Sequence, residues 1–516
     1  MTCSAWGSAA SRRMGSAAAR LLDSGAGRRS VRVALGLLHW DRSRGPMVRI
    51  IRTVAMMFLR ARRGHGGCDR MDRERELFAL AVTDTIDRLV AGRAMSREFT
   101  GRAGSMAAAM FAGLMHDSSR GRFRLENGVD PPLMVVISPT GSCNLSCAGC
   151  YSGWSAPGDE MPFEELERLV EEARGLWGIR LVAFSGGEPL LYGRGSKGIL
   201  DVIERNSDML FLVFTNGTLV DRRVARRLAA SGNAMLAFSV EGLERSTDAR
   251  RGTGTFAGVM RALSELKDAG APAGISVTAT RDNCEEILSD EFIDFFFREN
   301  LVFFEVLFQY VPQGRDPNAA LMPTPEQRLR MWQRSWEIIE ERKVFVFDFW
   351  NHGTLVGGCM AAGRERGYLH VDWEGNVCQC VFVPYSAGNI YEVHSLGGTL
   401  EDIWASPFMS GLRSWQRLRA TGDAACEVEP AGPGMVCACP VRDHYADFRE
   451  LVLSTGATPI GASAAACLSS PTYTCSMVRH GREFAELSRP VLEAEYACKP
   501  GPEKCPVQAP EKKDRR

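Results

Sequence analysis

Three cysteines stand within eight residues in Cys143-Asn-Leu-Ser-Cys147-Ala-Gly-Cys150, on a loop that directly follows an apolar run. Thiolates are soft ligands that select zinc, Cu(I) or iron–sulfur clusters. A structural zinc site takes four protein ligands, commonly as two separated pairs, and no second pair lies nearby. A four-iron cluster ordinarily takes four cysteines. Three leave one iron without a protein ligand, and a metal with an open position can bind and activate a small molecule. The competing reading is three buried thiols or a zinc knuckle.

Further along come Ser185-Gly186-Gly187-Glu188-Pro189, Thr215-Asn216-Gly217-Thr218, Ser239-Val240-Glu241-Gly242 and Arg250-Arg251-Gly252. Paired glycines let a backbone approach a ligand closely, a carboxylate can hold an ammonium group, and an arginine can pair with a carboxylate. Turn chemistry and helix capping explain the same residues without a ligand. Near the carboxyl end, Cys359, Cys378, Cys380, Cys426, Cys437 and Cys439 gather within about 80 residues around Trp373-Glu374-Gly375-Asn376. Thiolates drawn from distant segments would clamp a small module that has little core of its own. Structural zinc and unliganded thiols are the alternatives. His352 reads as a packed or capping histidine, while Gln309, Tyr310, Asp348 and Asn351 follow the last strands and are positional candidates to face a substrate.

These motifs need a frame that brings them to one end. From Leu133 the chain alternates short apolar runs (133–138, 180–185, 210–215, 235–240, 274–279, 302–308) with amphipathic helical patterns such as 162–176 and 255–269. Buried parallel strands read as continuous apolar runs, and repeated βα units wind into an α/β sheet or barrel whose chemistry sits at the carboxyl ends of the strands. The motifs fall just after the first four runs. A helix over 324–342 and a further strand at 344–349 close the region. We therefore expect an α/β fold, a partial (β/α)6 barrel over 129–350. A helical extension at 71–128, interrupted near Gly104, precedes it. A small separate module at 351–450 follows, then a helical segment and disordered tail at 451–516.

Residues 1–70 are rich in Arg, Ala, Ser and Gly, with Asp23, Asp41 and Asp69 as the only acids, and disorder is expected for much of them. Such a start also mimics a transit peptide or a start site placed before Met47. Within it Ile50, Ile51, Val54, Met57 and Phe58 share one helical face, opposite Arg49, Arg52, Arg60 and Arg63. That pattern suits weak contact with a membrane surface, or packing on the protein's own core.

At 516 residues the chain has room for two or three domains at roughly 100–200 each. Its 45% apolar and 24% charged residues disfavour a disordered, collagenous or multi-span membrane protein. Lys plus Arg and Asp plus Glu balance at 62 each, so nothing global points to nucleic acid. Sixteen clustered cysteines fit metal ligation better than a disulfide scaffold, and a reducing cytoplasm is the default compartment. No uncharged run of about 18 apolar residues appears.

The cysteine loop resembles the cluster motif of the radical S-adenosylmethionine (SAM) superfamily, with Gly149 where that motif usually has an aromatic residue and Tyr151 following the third cysteine. The resemblance covers roughly residues 130–445. It implies a [4Fe-4S] cluster on Cys143, Cys147 and Cys150, with SAM on the fourth iron. It also implies contact between the SAM amino group and the Gly186-Gly187-Glu188 segment, and cofactor contacts for Asn216, Ser239 and Arg251. The later cysteines resemble the SPASM module of the same superfamily. That implies one auxiliary iron–sulfur cluster held by Cys359, Cys380, Cys439 and either Cys426 or Cys437. The implied chemistry is reductive cleavage of SAM to a 5′-deoxyadenosyl radical that abstracts hydrogen from a substrate. Ferredoxin or flavodoxin would serve as reductant. The substrate would be a peptide or protein, or a lipid or isoprenoid small molecule. A non-catalytic SAM- or cluster-binding sensor or electron carrier is the alternative from a different class.

Overall fold

The computed structural model describes residues 25–61, 68–152, 160–193, 197–365, 367–421 and 433–496. Seven parallel strands realise the alternation: β1 (Met134–Ile137), β2 (Leu181–Phe184), β3 (Leu210–Thr215), β4 (Ala234–Val240), β5 (Ala273–Ala279), β6 (Glu305–Gln309) and β7 (Val346–Asp348). They pair in sequence order, with helices such as Phe163–Trp177 and Thr255–Ala269 between them. Val135, Ile137, Val182, Phe184, Val213 and Phe238 are buried between sheet and helices, which is why these strands read as apolar runs.

The barrel stays open, and further strands extend its sheet beyond β1. Among the described residues the sheet has eleven strands, because β1 also pairs in parallel with β8 (Tyr368–Val371), Met134 opposite Tyr368. Antiparallel β9 (Asn376–Cys380), β10 (Val383–Asn389) and β11 (Thr458–Pro459) continue outward. The carboxyl-terminal region is thus fused to the barrel sheet rather than forming the separate module expected. An uncovered β1 edge would leave a row of backbone donors and acceptors unpaired, and β8 satisfies them.

Among the described residues five α-helices precede the sheet: α1 (Gly25–Gly36), α2 (Asp41–Ala61), α3 (Asp69–Ala91), α4 (Arg97–His116) and α5 (Ser118–Asn127). Helix therefore occupies much of the stretch expected to be disordered. Residues 1–24 and 62–67 lie outside the described residues. The interruption expected at Gly104 falls instead at Gly92–Ser96. Gly104 lies within α4, where a Cβ would stand 2.0 Å from Leu35 Cδ1, so the glycine lets α1 pack closely. On α2, Met47, Val48 and Ile51 turn to the core while Ile50, Val54 and Met57 are exposed, splitting the apolar face read from the sequence. Among the described residues no helix is long and apolar enough to cross a membrane. At the other end a helix over Pro471–Glu495 packs on the helix Pro325–Glu337, Arg328 lying 3.5 Å from the centre of the Phe484 ring. The tail expected to be disordered from Lys499 lies outside the described residues.

Candidate active site

The loop after β1 delivers Cys143, Cys147 and Cys150 to one wall of a cavity of about 240 Å³ at the carboxyl ends of the parallel strands. Gly186, Gly187, Thr215, Asn216, Ser239 and Arg251 line the same cavity. Phe214, Phe308, Phe347, Phe349, Tyr368 and Phe382 form its apolar side. Two devices hold the loop. Gly187 N donates to Thr140 O (2.9 Å) and Glu188 N to Ser142 O (2.8 Å), so the glycine pair is stitched to the chain just before Cys143. A Cβ on Gly186 would meet Thr140 O at 2.6 Å, and one on Gly187 would meet Ser142 O at 2.2 Å. Beyond the second cysteine, Ala148 and Arg250 exchange two bonds, Ala148 N to Arg250 O and Arg250 Nε to Ala148 O, both 3.1 Å.

Of the residues singled out in the sequence, Glu188 stands apart. It is fully buried, does not line the cavity, and its carboxylate accepts from Thr215 Oγ1 (2.7 Å), Asn216 N (2.8 Å) and Leu190 N (3.1 Å). In this structure it ties the ends of β2 and β3 together, and the backbone of Gly186 and Gly187 forms the wall where a ligand ammonium was expected to meet Glu188. Asn216 lines the cavity while its amide reaches Asn144 Oδ1 (2.8 Å) and accepts from Thr218 N (3.0 Å). Ser239 faces Ser276 across 3.4 Å. Arg251 finds its carboxylate within the chain: Glu241 Oε1 accepts from its Nε (2.9 Å) and Nη2 (2.6 Å), and Arg250 pairs with the same oxygen.

Tyr151 and Tyr310 were not read as site residues from motif. The Tyr151 hydroxyl meets Ser185 Oγ at 2.6 Å on the cavity wall. Tyr310 lies against Gly149, where a Cβ would stand 2.8 Å from its ring, so an aromatic just after β6 covers the position at which the loop has none. The other positional guesses differ. Gln309 and Asp348 point away from the cavity, into a buried network in which Asp348 accepts from Asn351 N (2.9 Å) and Asn351 Nδ2 (2.7 Å), and Asn351 Oδ1 accepts from Arg328 Nε (3.0 Å). Strand alternation explains this, since Val306, Phe308, Phe347 and Phe349 are the cavity-facing residues. His352 is a packed histidine, bonded to Ser335 Oγ and Asp348 N, and burial lowers its pKa to about 4.

A second thiol trio lies close by. Cys359, Cys380 and Cys439 line a neighbouring cavity that shares Phe349, Met360 and Phe382 with the first. Cys437 is turned away toward Ser488 Oγ (3.6 Å), and Cys426 lies outside the described residues. The trio is anchored to the barrel through a buried ion pair between Arg328 and Asp443. Asp443 Oδ2 also accepts from Cys439 N (3.1 Å), and Arg442 donates to Gln309.

Comparison with known proteins decides the family. The radical SAM superfamily model matches residues 137–288, and the SPASM iron–sulfur cluster-binding domain model matches 359–428. The chain thus carries a radical SAM domain followed by a SPASM domain. It is similar to mycofactocin maturase MftC of Mycobacterium ulcerans, 28% identical over 313 residues, covering 58% of this chain and 82% of that protein. It is also similar to the AdoMet-dependent heme synthase of Methanosarcina barkeri, 26% identical, covering 51% and 80%. The crystal structure of Streptococcus suis SuiB bound to precursor peptide SuiA aligns with TM-score 0.48 at 17% identity, over 65% of this chain and 76% of that one.

The radical SAM domain implies a [4Fe-4S] cluster and SAM, and the SPASM domain implies auxiliary iron–sulfur clusters; the donors present suit both. Burial pushes the Cys143 thiol up to about 11, with Glu188, Cys147 and Cys150 adding, against the Leu145 N–H that points at its sulfur. Burial likewise raises Cys150, opposed by the Ser152 N–H, Arg250 and Arg251. In the second trio burial raises Cys359, Cys380 and Cys439, while backbone N–H groups of Ala361, Phe382 and Arg442 point at the three sulfurs. Bound iron would displace the thiol protons, and donors already aimed at sulfur favour the charged, metal-bound form. Among the described residues no three His, Cys, Asp or Glu side chains converge as they would around a single ion.

Proposed function

We propose that this radical SAM enzyme modifies a peptide, admitting one apolar side chain or chain end to the cavity beside Cys143, Cys147 and Cys150. In this reading the three cysteines hold the [4Fe-4S] cluster, and Gly186, Gly187, Asn216, Ser239 and Arg251 form the SAM-facing wall. Glu188 positions Asn216 through its backbone rather than holding the ligand. When bound, the cluster and SAM supply a 5′-deoxyadenosyl radical that can abstract hydrogen. The chain's contribution is to exclude water and fix the target carbon: aromatic side chains line the same cavity as the cysteines, and Tyr368 and Phe382 among them come from the SPASM region itself. Cys359, Cys380 and Cys439 would hold an auxiliary cluster.

The observation that carries the reading is one cavity lined by both the three thiols and a group of aromatic side chains. A relative named as a maturase, MftC, points the same way, while the similar heme synthase makes an iron porphyrin the second substrate to assay. Ferredoxin or flavodoxin remains the proposed reductant. The test is anaerobic reconstitution with iron and sulfide, then SAM, dithionite and candidate peptides encoded beside this gene. 5′-Deoxyadenosine, abolished by Cys147→Ala, together with a mass change in a peptide supports the proposal. 5′-Deoxyadenosine coupled to conversion of an iron porphyrin but of no peptide rejects it.

A further inference from the structure

Tyr368 belongs to two sites at once. It is 1% exposed, its ring lines the cavity beside Met360 and Phe382, and it meets Phe349 edge-on with centroids 6.3 Å apart. Its hydroxyl lies 2.9 Å from Cys380 Sγ. A cysteinate bound to metal carries no proton, so in that state the phenol is the donor of this contact. A buried phenol needs such a partner. Phe349, Met360 and Phe382 line both cavities, so one layer of side chains separates the substrate space from the second trio, and Tyr368 reaches across it.

Hydrogen bonds to the sulfurs of an iron–sulfur centre help set its reduction potential, because they stabilise the more negative, reduced state. We infer that Tyr368 is a positioning residue that sets the potential of the auxiliary centre by donating its hydroxyl proton to Cys380 Sγ. The inference rests on the proposed ligand role of Cys359, Cys380 and Cys439. On this assignment the residue that shapes the floor of the substrate cavity also fixes how readily the neighbouring centre accepts an electron. Backbone donors at Cys380 come from Val381 and Phe382 and persist whatever residue stands at 368, so the tyrosine hydroxyl is the adjustable contact.

The experiment uses full-length protein carrying Cys143→Ala, Cys147→Ala and Cys150→Ala, reconstituted anaerobically, so that bound iron reports the auxiliary centre alone. Potentials are read by redox titration with paramagnetic resonance detection, with Tyr368 and with Tyr368→Phe. The expected result is unchanged iron and sulfide per chain and a potential moved to more negative values. The ratio of reduced to oxidised centre at a fixed potential should fall roughly three- to tenfold, in keeping with the loss of one ordinary hydrogen bond. Incorporation of 3-fluorotyrosine at 368, a stronger donor of nearly the same shape, should move it the other way. This second substitution decides the matter where Tyr368→Phe fails to hold iron. An unchanged potential at unchanged iron content overturns the role of Tyr368 and leaves the ligand assignment standing. Absence of iron from the triple-alanine protein overturns the ligand assignment, and this inference with it.

Discussion

Replacing Gly187 by alanine tests whether the glycine pair exists to seat the cysteine loop. The added Cβ would lie 2.2 Å from Ser142 O and 2.6 Å from Gly141 O, both backbone atoms, so one chain must retreat by about 1 Å to restore an ordinary contact. Overpacking of this kind costs about 1–3 kcal/mol. The bonds from Gly187 N to Thr140 O and from Glu188 N to Ser142 O cannot both survive the retreat, at about 1 kcal/mol each. A penalty of about 2–5 kcal/mol therefore falls on the few residues that precede Cys143. The assay is iron and sulfide content after anaerobic reconstitution, with thermal unfolding alongside. We expect loss of about one four-iron cluster per chain with the global transition shifted far less. Gly175→Ala serves as control, because nothing lies within 4 Å of its Cβ and it sits in the helix Phe163–Trp177, where alanine is neutral or stabilising by about 0.4–1 kcal/mol. Wild-type iron content and SAM affinity in Gly187→Ala would refute the reasoning.

Arg328→Met should destabilise the protein by about 3–5 kcal/mol in denaturant unfolding, because it strands the buried Asp443 carboxylate, and adding Asp443→Asn should recover part of the loss. Arg250→Gln removes one brace from Ala148 and leaves Glu241 to Arg251, so the reconstituted loop cluster should bleach several-fold faster in air at near-normal stability; equal bleaching rates contradict the bracing role. Burial lowers His352 to about 4 and His370 to about 3, so both stay neutral in the fold while the unfolded chain takes up protons below its ordinary 6.5. Stability is then full above that value and lost as pH falls, at up to about 1.4 kcal/mol per pH unit for each residue. A flat urea midpoint between pH 7.5 and 5.5 would exclude this.

The barrel was legible because its strands are buried on both faces, which leaves the uninterrupted apolar runs Met134–Ile137 and Leu210–Thr215 between amphipathic helices. The cysteine loop was legible for a different reason: thiols four and three residues apart are rare and chemically committed. Pairing between β1 and β8 was not legible, since 230 or so residues separate the strands and no local pattern records which edge a strand will cover. Much of residues 1–70 was expected to be disordered around one amphipathic helix, and among its described residues 25–61 are largely helical, which composition alone did not show. Arginine-rich helices with few acids look unfoldable until Leu38, Val48 and Leu89 are seen buried among α1 to α4 and the segments beside them. Glu188 shows the limit of motif reading, because the carboxylate satisfies three donors of its own chain and leaves the glycine backbone at the cavity.

The unread strand pairing is also what sets the relation between the two thiol sites. β1 ends at the loop that bears Cys143, and β8 begins at Tyr368, in register with Met134 at the start of β1. The hydrogen-bonded pair therefore places the first trio and the wall of the second at a distance fixed by backbone, not by side-chain choice. Arg328 and Asp443 hold the far side of the second trio to the helix behind β6 and β7, so that trio is fixed to the barrel from two directions. Such double anchorage is expected where a few tenths of an ångström at a sulfur alter a redox centre. It also explains why the joint spends buried charge, which is costly to place but defines geometry sharply when every partner is met.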